Sequence, residues 1–193
     1  LYLAPTNPDF STLDRPLTNP DVAATWNNFY EFTRTKDVAP LAEKFNPHPW
    51  TVEVAGLVRQ PLTYDIDHLV RLLPLEERLY RFRCVEAWAM AVPWTGFPMK
   101  AFIDLVEPLS AARYVKMTTF LRPQESPGQW IAPESPWPYT EGLTMAEATN
   151  ALTLMATGIY GGELPKQHGA PIRLVVPWKY GYKSIKSIVR IEF

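Results

Sequence analysis

Proline limits this chain more than any other residue. Twenty of its 193 residues are proline, about twice the usual share of roughly 5%, spread from Pro5 to Pro177. Each one fixes φ and removes a backbone N–H, so it breaks a helix interior and is excluded from a central strand. Short helices, short strands and long connections are what fit between them. The chain is nevertheless 47% hydrophobic and 13% aromatic, enough to bury a core and to exclude a disordered polymer. The expectation is one α+β domain over residues 1–193, strand-rich, with short helices and long Pro-rich loops.

Charge and cysteine content exclude several functions. Nineteen Lys and Arg against twenty Asp and Glu give a net charge of −1, which argues against a general nucleic-acid binder. The longest uncharged runs, Ala87–Met99 and Ala148–Gly162, are interrupted by Pro93 and Pro98 or end in Gly161-Gly162. Both fall short of a membrane span of roughly 18 apolar residues. Cys84 is the only cysteine, so neither an intrachain disulfide nor a cysteine zinc cage can form. The first residues lack the features of a targeting peptide; if one existed, it has been removed or left out.

Local signals sketch the elements. Residues 1–20 wrap the surface in extended form. Asn19-Pro20-Asp21 opens a short helix, and Asp37–Phe45 reads as another. Trp50–Ala55 is a strand that stops at Gly56, and Asp65 caps a helix through Leu73 that Pro74 stops. Leu79–Cys84 alternates, with Tyr80, Phe82 and Cys84 on one face and Arg81 and Arg83 on the other. Pro98 begins a helix closed by Pro108, and Tyr114–Phe120 is a strand. Residues 122–142, with five prolines and two glycines, read as one long loop, a length more often functional than idle. Thr144–Glu147 is a capping box. Strands follow at Leu152–Ala156, Arg173–Val176 and, by alternation, Ile185–Phe193.

Three constellations can carry chemistry. Cys84 is either a small buried hydrophobe or a thiolate favoured by Arg81 and Arg83, suited to a metal that arrives inside a cofactor. The stretch Lys166–Lys186 sets Lys179, Lys183 and Lys186 among glycines and aromatics just after Arg173. That pattern suits a phosphate or is a solvated basic turn. Trp26–Phe32 offers Asn, Tyr and Glu side chains for the edges of a heterocycle, or is a helix end packed by aromatics. His48, His68 and His168 are too scattered to read as a metal site.

Taken together, Leu3–Asn7, Thr25–Phe32, Arg81–Trp88 and Gln167–Lys186 resemble one family over essentially the whole chain. It is the catalytic subunit of the bacterial periplasmic protein-methionine-sulfoxide reductases, which have the sulfite-oxidase-type molybdopterin-binding fold. The resemblance implies a molybdenum–molybdopterin cofactor without an attached nucleotide, with Cys84 as protein ligand to the metal and Glu86 as a carboxylate near it. It implies cofactor contacts from Asn27, Tyr30, Glu31, Thr119, His168, Arg173, Ser184, Ile185 and Lys186. It further implies that oxygen is removed from methionine sulfoxide in oxidised periplasmic proteins. Electrons come from the quinone pool through a haem-binding membrane subunit, the chain itself does not span the membrane, and family members continue beyond Phe193. The alternatives are a sulfite dehydrogenase on the same fold, for which Arg81 and Arg83 point away from Cys84, and a metal-free binding module.

Overall fold

The prolines leave room for ten short strands, arranged as two sheets. In a computed structural model the described residues are 4–193; Leu1, Tyr2 and Leu3 lie outside them. The first sheet is built from β1 (Thr51–Ala55), β2 (Leu62–Asp65), β5 (Tyr114–Thr119), β6 (Thr140–Thr144) and β10 (Ile188–Glu192). Its order is β2-β1-β10-β5-β6. The second holds β3 (Glu76–Arg83), β4 (Ala89–Pro98), β7 (Leu154–Ile159), β8 (Gly162–Glu163) and β9 (Arg173–Val175). There β3, β4, β7 and β8 follow one another, and β9 pairs with β7. Among these pairings only β1–β10 is parallel.

Short helices α1 (Pro20–Thr25), α2 (Ile66–Leu72), α3 (Met99–Val106), α4 (Pro127–Ile131) and α5 (Met145–Ala148) fill the connections. The expected start signals operate. Asn19 accepts from the Asp21 N–H ahead of Pro20, Asp65 accepts from the His68 N–H, and Thr144 with Glu147 closes the capping box of α5. Each satisfies backbone donors that the first turn leaves unpaired.

Four expectations need correction. Asp37–Phe45 is not a helix but successive turns, with Ala42 N–H and Leu41 N–H both donating to the Val38 carbonyl. Pro40 has no N–H to give, and burial of Val38, Ala42 and Phe45 decides the shape instead. Residues 122–142 are not one loop. They contain α4 and the start of β6, organised by the buried Gln129 amide, which donates to the Phe120 carbonyl and accepts from the Arg122 N–H and the Ser126 hydroxyl. β4 escapes a reading by proline content, because Pro93 lies within it. Pro93 is paired with Leu79 of β3 but sits just outside the ladder to β7, which begins at Trp94. Finally, the alternation of Ile185–Phe193 is broken: Ser187 has φ 49°, and the register shifts between Ile188 and Arg190.

Two apolar clusters hold these layers together. The larger includes an aromatic group, Phe29, Phe32, Phe45, Trp50 and Phe120, with edge-on and tilted contacts such as Phe45–Phe120 at 4.6 Å and Phe29–Phe32 at 4.9 Å. It anchors the irregular segment 26–50 against the first sheet. Burying each large aromatic contributes on the order of 2–3 kcal/mol, which replaces the backbone ladder this segment lacks.

Candidate active site

Cys84 follows the last residue of β3 and opens the tight turn into β4. Its N–H donates to the Trp88 carbonyl and its carbonyl accepts from Ala87, which adopts φ 71°. The turn sends the Cys84 thiol and the Glu86 carboxylate to the mouth of one cavity of about 870 Å³. The Glu86 N–H lies 3.5 Å from the sulfur, and Asn28 Nδ2 lies 3.4 Å from it. Around Glu86 Oε2 converge Lys36 Nζ at 2.6 Å, Trp88 Nε1 at 3.0 Å and Asn28 Nδ2 at 3.2 Å. These donors, Lys36 foremost, hold the carboxyl at about 2, so Glu86 is ionised near neutral pH.

Two cations also line the cavity. The Arg173 guanidinium is buried, stacks over the Trp94 and Phe82 rings, and donates to the backbone carbonyls of His168, Leu174 and Ser184. Lys186 Nζ donates to the carbonyls of Asn28 and Gln167 at 3.0 and 2.9 Å and sits 4.8 Å from the Phe29 ring centre. Among the described residues neither forms an ion pair with a carboxylate. Burial lowers both, Arg173 to about 9 and Lys186 well below its usual range. His168 is lowered to about 3, by burial first and then by Lys186 and Arg173, and so stays neutral. Burial pushes Glu31 up to about 7, against a backbone hydrogen bond and the charge of Lys186. A buried guanidinium and a half-buried ammonium, each paired only with carbonyls, suit an anion, because withdrawing uncompensated charge from water is unfavourable.

Ten residues named from the sequence line this cavity: Asn27, Tyr30, Glu31, Cys84, Glu86, His168, Arg173, Ser184, Ile185 and Lys186. Thr119 does not. Its hydroxyl reaches backward to the carbonyls of Lys186 and Ser187. The Asn27 amide donates to the carbonyls of Ala23 and Ala24 at the end of α1, and Ser184 Oγ accepts from the Val176 N–H. The lysine-rich turn divides. Lys179 pairs with Glu147 and Lys183 with Glu141, leaving Lys186 as its one lysine on the cavity. Arg81 and Arg83 line a separate depression of about 470 Å³, as the alternation of β3 requires. Asn28 and Trp88 lie in segments singled out from the sequence but were not named as site residues, and Lys36 was not foreseen. The sequence signal for Asn28 was adjacency to Asn27; for Lys36 there was none.

The donor set fits a cofactor that carries its own metal and an anionic tail. One thiol and two cations without carboxylate partners line the cavity, and no three His, Cys, Asp or Glu residues gather into a metal site among the described residues. The chain belongs to the family of oxidoreductase molybdopterin binding domains, whose description matches residues 38–193.

Among curated relatives, the protein-methionine-sulfoxide reductase catalytic subunit MsrP of Burkholderia mallei is 53% identical over 191 residues, 98% of this chain and 57% of its own length. The MsrP of Ralstonia nicotianae is 50% identical over 188 residues, 97% of this chain and 56% of its own. This chain therefore spans a little over half the length of those relatives. The crystal structure of sulfane dehydrogenase SoxCD from Paracoccus pantotrophus shares the fold, with a TM-score of 0.64 and 16% identity over 82% of this chain and 41% of that one. The sulfite-oxidase-type molybdopterin-binding fold expected from the sequence is the one found.

Proposed function

We propose that this chain is the cofactor-bearing part of a protein-methionine-sulfoxide reductase. The observation that carries the reading is the pairing of a lone cavity thiol, Cys84, with two cations, the buried Arg173 and the half-buried Lys186, that lack carboxylate partners among the described residues. When bound, molybdenum–molybdopterin without an attached nucleotide supplies two-electron oxygen-atom transfer, which converts methionine sulfoxide to methionine. Cys84 is the protein ligand to the metal. Arg173 and Lys186 neutralise the cofactor phosphate. Asn27, Tyr30, Glu31, His168, Ser184 and Ile185 line the pterin end, and Thr119 supports Lys186 from behind.

Glu86, held ionised beside the sulfur, accepts hydrogen bonds at its carboxylate and would orient a water next to the Cys84 thiol. The apolar walls, with Trp26 and Tyr30 half-exposed at the cavity, suit a methionine side chain presented on a protein. In this reading the substrates are oxidised periplasmic proteins. The electrons come from the quinone pool through a haem-binding membrane subunit. Among the described residues no helix is long and apolar enough to cross a membrane.

The test is molybdenum and pterin per chain, with sulfoxide-reducing activity, for wild type and Cys84→Ser expressed in a host that makes the cofactor. Stoichiometric metal in wild type, with loss of activity in a folded variant, supports the reading. A folded, metal-free wild-type chain defeats it.

A further inference from the structure

The amide of Asn28 presents its nitrogen to the Cys84 sulfur at 3.4 Å and its oxygen to Lys36 Nζ at 2.6 Å. An ammonium group is a donor only, so the atom facing Lys36 must be the amide oxygen, and the NH2 group is thereby turned toward the sulfur and toward Glu86 Oε2, 3.2 Å away. The same ammonium lies 2.6 Å from Glu86 Oε2. The backbone of Lys36 is held beside this segment, since the Asn27 N–H donates to the Lys36 carbonyl at 3.1 Å and the turn at Phe29–Thr33 closes the segment between them. Lys36 itself does not line the cavity.

We infer that Lys36 is a positioning residue: it orients the Asn28 amide toward the Cys84 sulfur and thereby raises the reduction potential of a metal held by that sulfur. The inference rests on the reading of Cys84 as a metal ligand. An N–H donated to a metal thiolate draws electron density from sulfur and favours the more electron-rich, reduced state; such outer contacts tune metal sites. Lys36 also balances the Glu86 charge, and an unbalanced carboxylate beside the metal favours the oxidised state. Both effects have the same sign, so loss of Lys36 lowers the potential.

The experiment is an EPR-monitored redox titration of the molybdenum-loaded full chain. Lys36→Met is expected to shift the one-electron equilibrium toward the oxidised state at least tenfold, 59 mV for a one-electron couple, while Lys36→Arg stays with wild type. In the Asn28→Leu background, Lys36→Met has a smaller effect than alone, because the two act as one unit. A fully loaded Lys36→Met chain with the wild-type potential overturns the inference.

If Lys36→Met folds but takes up no molybdenum, the side-chain amide signals of Asn28 in the metal-free protein decide. Loss of their distinct shifts supports the hold of Lys36 on Asn28, and unchanged signals overturn it. A wild-type chain without molybdenum defeats the functional reading instead, and the amide comparison still judges Lys36 separately.

Discussion

The Thr119 hydroxyl donates to the Lys186 carbonyl at 2.7 Å, and its contact with the Ser187 carbonyl is 3.1 Å. A fully buried side chain at the end of β5 thus fixes the backbone that aims Lys186 into the cavity. Thr119→Val leaves the Lys186 carbonyl without this donor and a valine methyl in its place, which costs roughly 1–3 kcal/mol. Chemical denaturation is expected to register that loss, and cofactor content per chain is expected to fall with it. Full stability with reduced content would instead make Thr119 a direct cofactor contact.

On the proposed function, Lys186 and Arg173 receive the cofactor phosphate, and they should attract a phosphate anion even without the rest of the cofactor. Inorganic pyrophosphate is expected to raise the melting temperature of metal-free protein, in proportion to the logarithm of its concentration once it exceeds the dissociation constant. Lys186→Met removes one of the two charges and is expected to reduce that increase several-fold. Equal shifts in both proteins would separate the anion from this site.

Glu31 makes stability depend on pH in a defined direction. Its carboxyl is raised from 4.5 to about 7 in the folded chain. The folded state therefore retains the proton that the unfolded state releases, so the contribution is fully present below 4.5 and is lost as pH rises through 7. His168, lowered from 6.5 to about 3, acts oppositely, losing stability as pH falls, and is common to both proteins in a comparison with Glu31→Gln. Urea unfolding is expected to show that Glu31→Gln gains on wild type by roughly 1–3 kcal/mol between pH 4.5 and 7.5. A constant difference across that range would remove Glu31 as the cause.

Gly169 sits at φ +99°, and a Cβ there would lie 2.6 Å from both Cβ and Cγ of Lys186. Gly169→Ala is expected to destabilise by roughly 1–3 kcal/mol through strain and collision. Because the collision falls on Lys186, cofactor occupancy should drop as well. Thermal melts and molybdenum content on the same preparation check both halves.

Much of the site was legible because its residues occur in short runs. The alternation of Tyr80, Phe82 and Cys84 against Arg81 and Arg83 assigned the two sides of β3, and the arginines do line a different depression from the thiol. The capping signals at Asn19, Asp65 and Thr144 worked because a cap is a contact between residues two or three apart. What was missed depends on distant partners. Residues 122–142 looked like a loop because their order comes from Gln129 and from pairing with β5. Lys179 and Lys183 looked like phosphate ligands because Glu147 and Glu141 approach them only across the fold.

The sequence by itself determined the fold family and which residue types could serve as thiolate, carboxylate and cation, since those follow from local chemistry and from segment patterns. Only the tertiary structure decided that Asn28 and Lys36 stand beside Cys84, and that Lys186 rather than its neighbouring lysines faces the cavity. Asn28 and Cys84 are 56 positions apart, and Lys186 and Asn28 are 158 apart. They meet because buried aromatics fold segment 26–50 onto the first sheet, and no rule of spacing reaches that far along a chain.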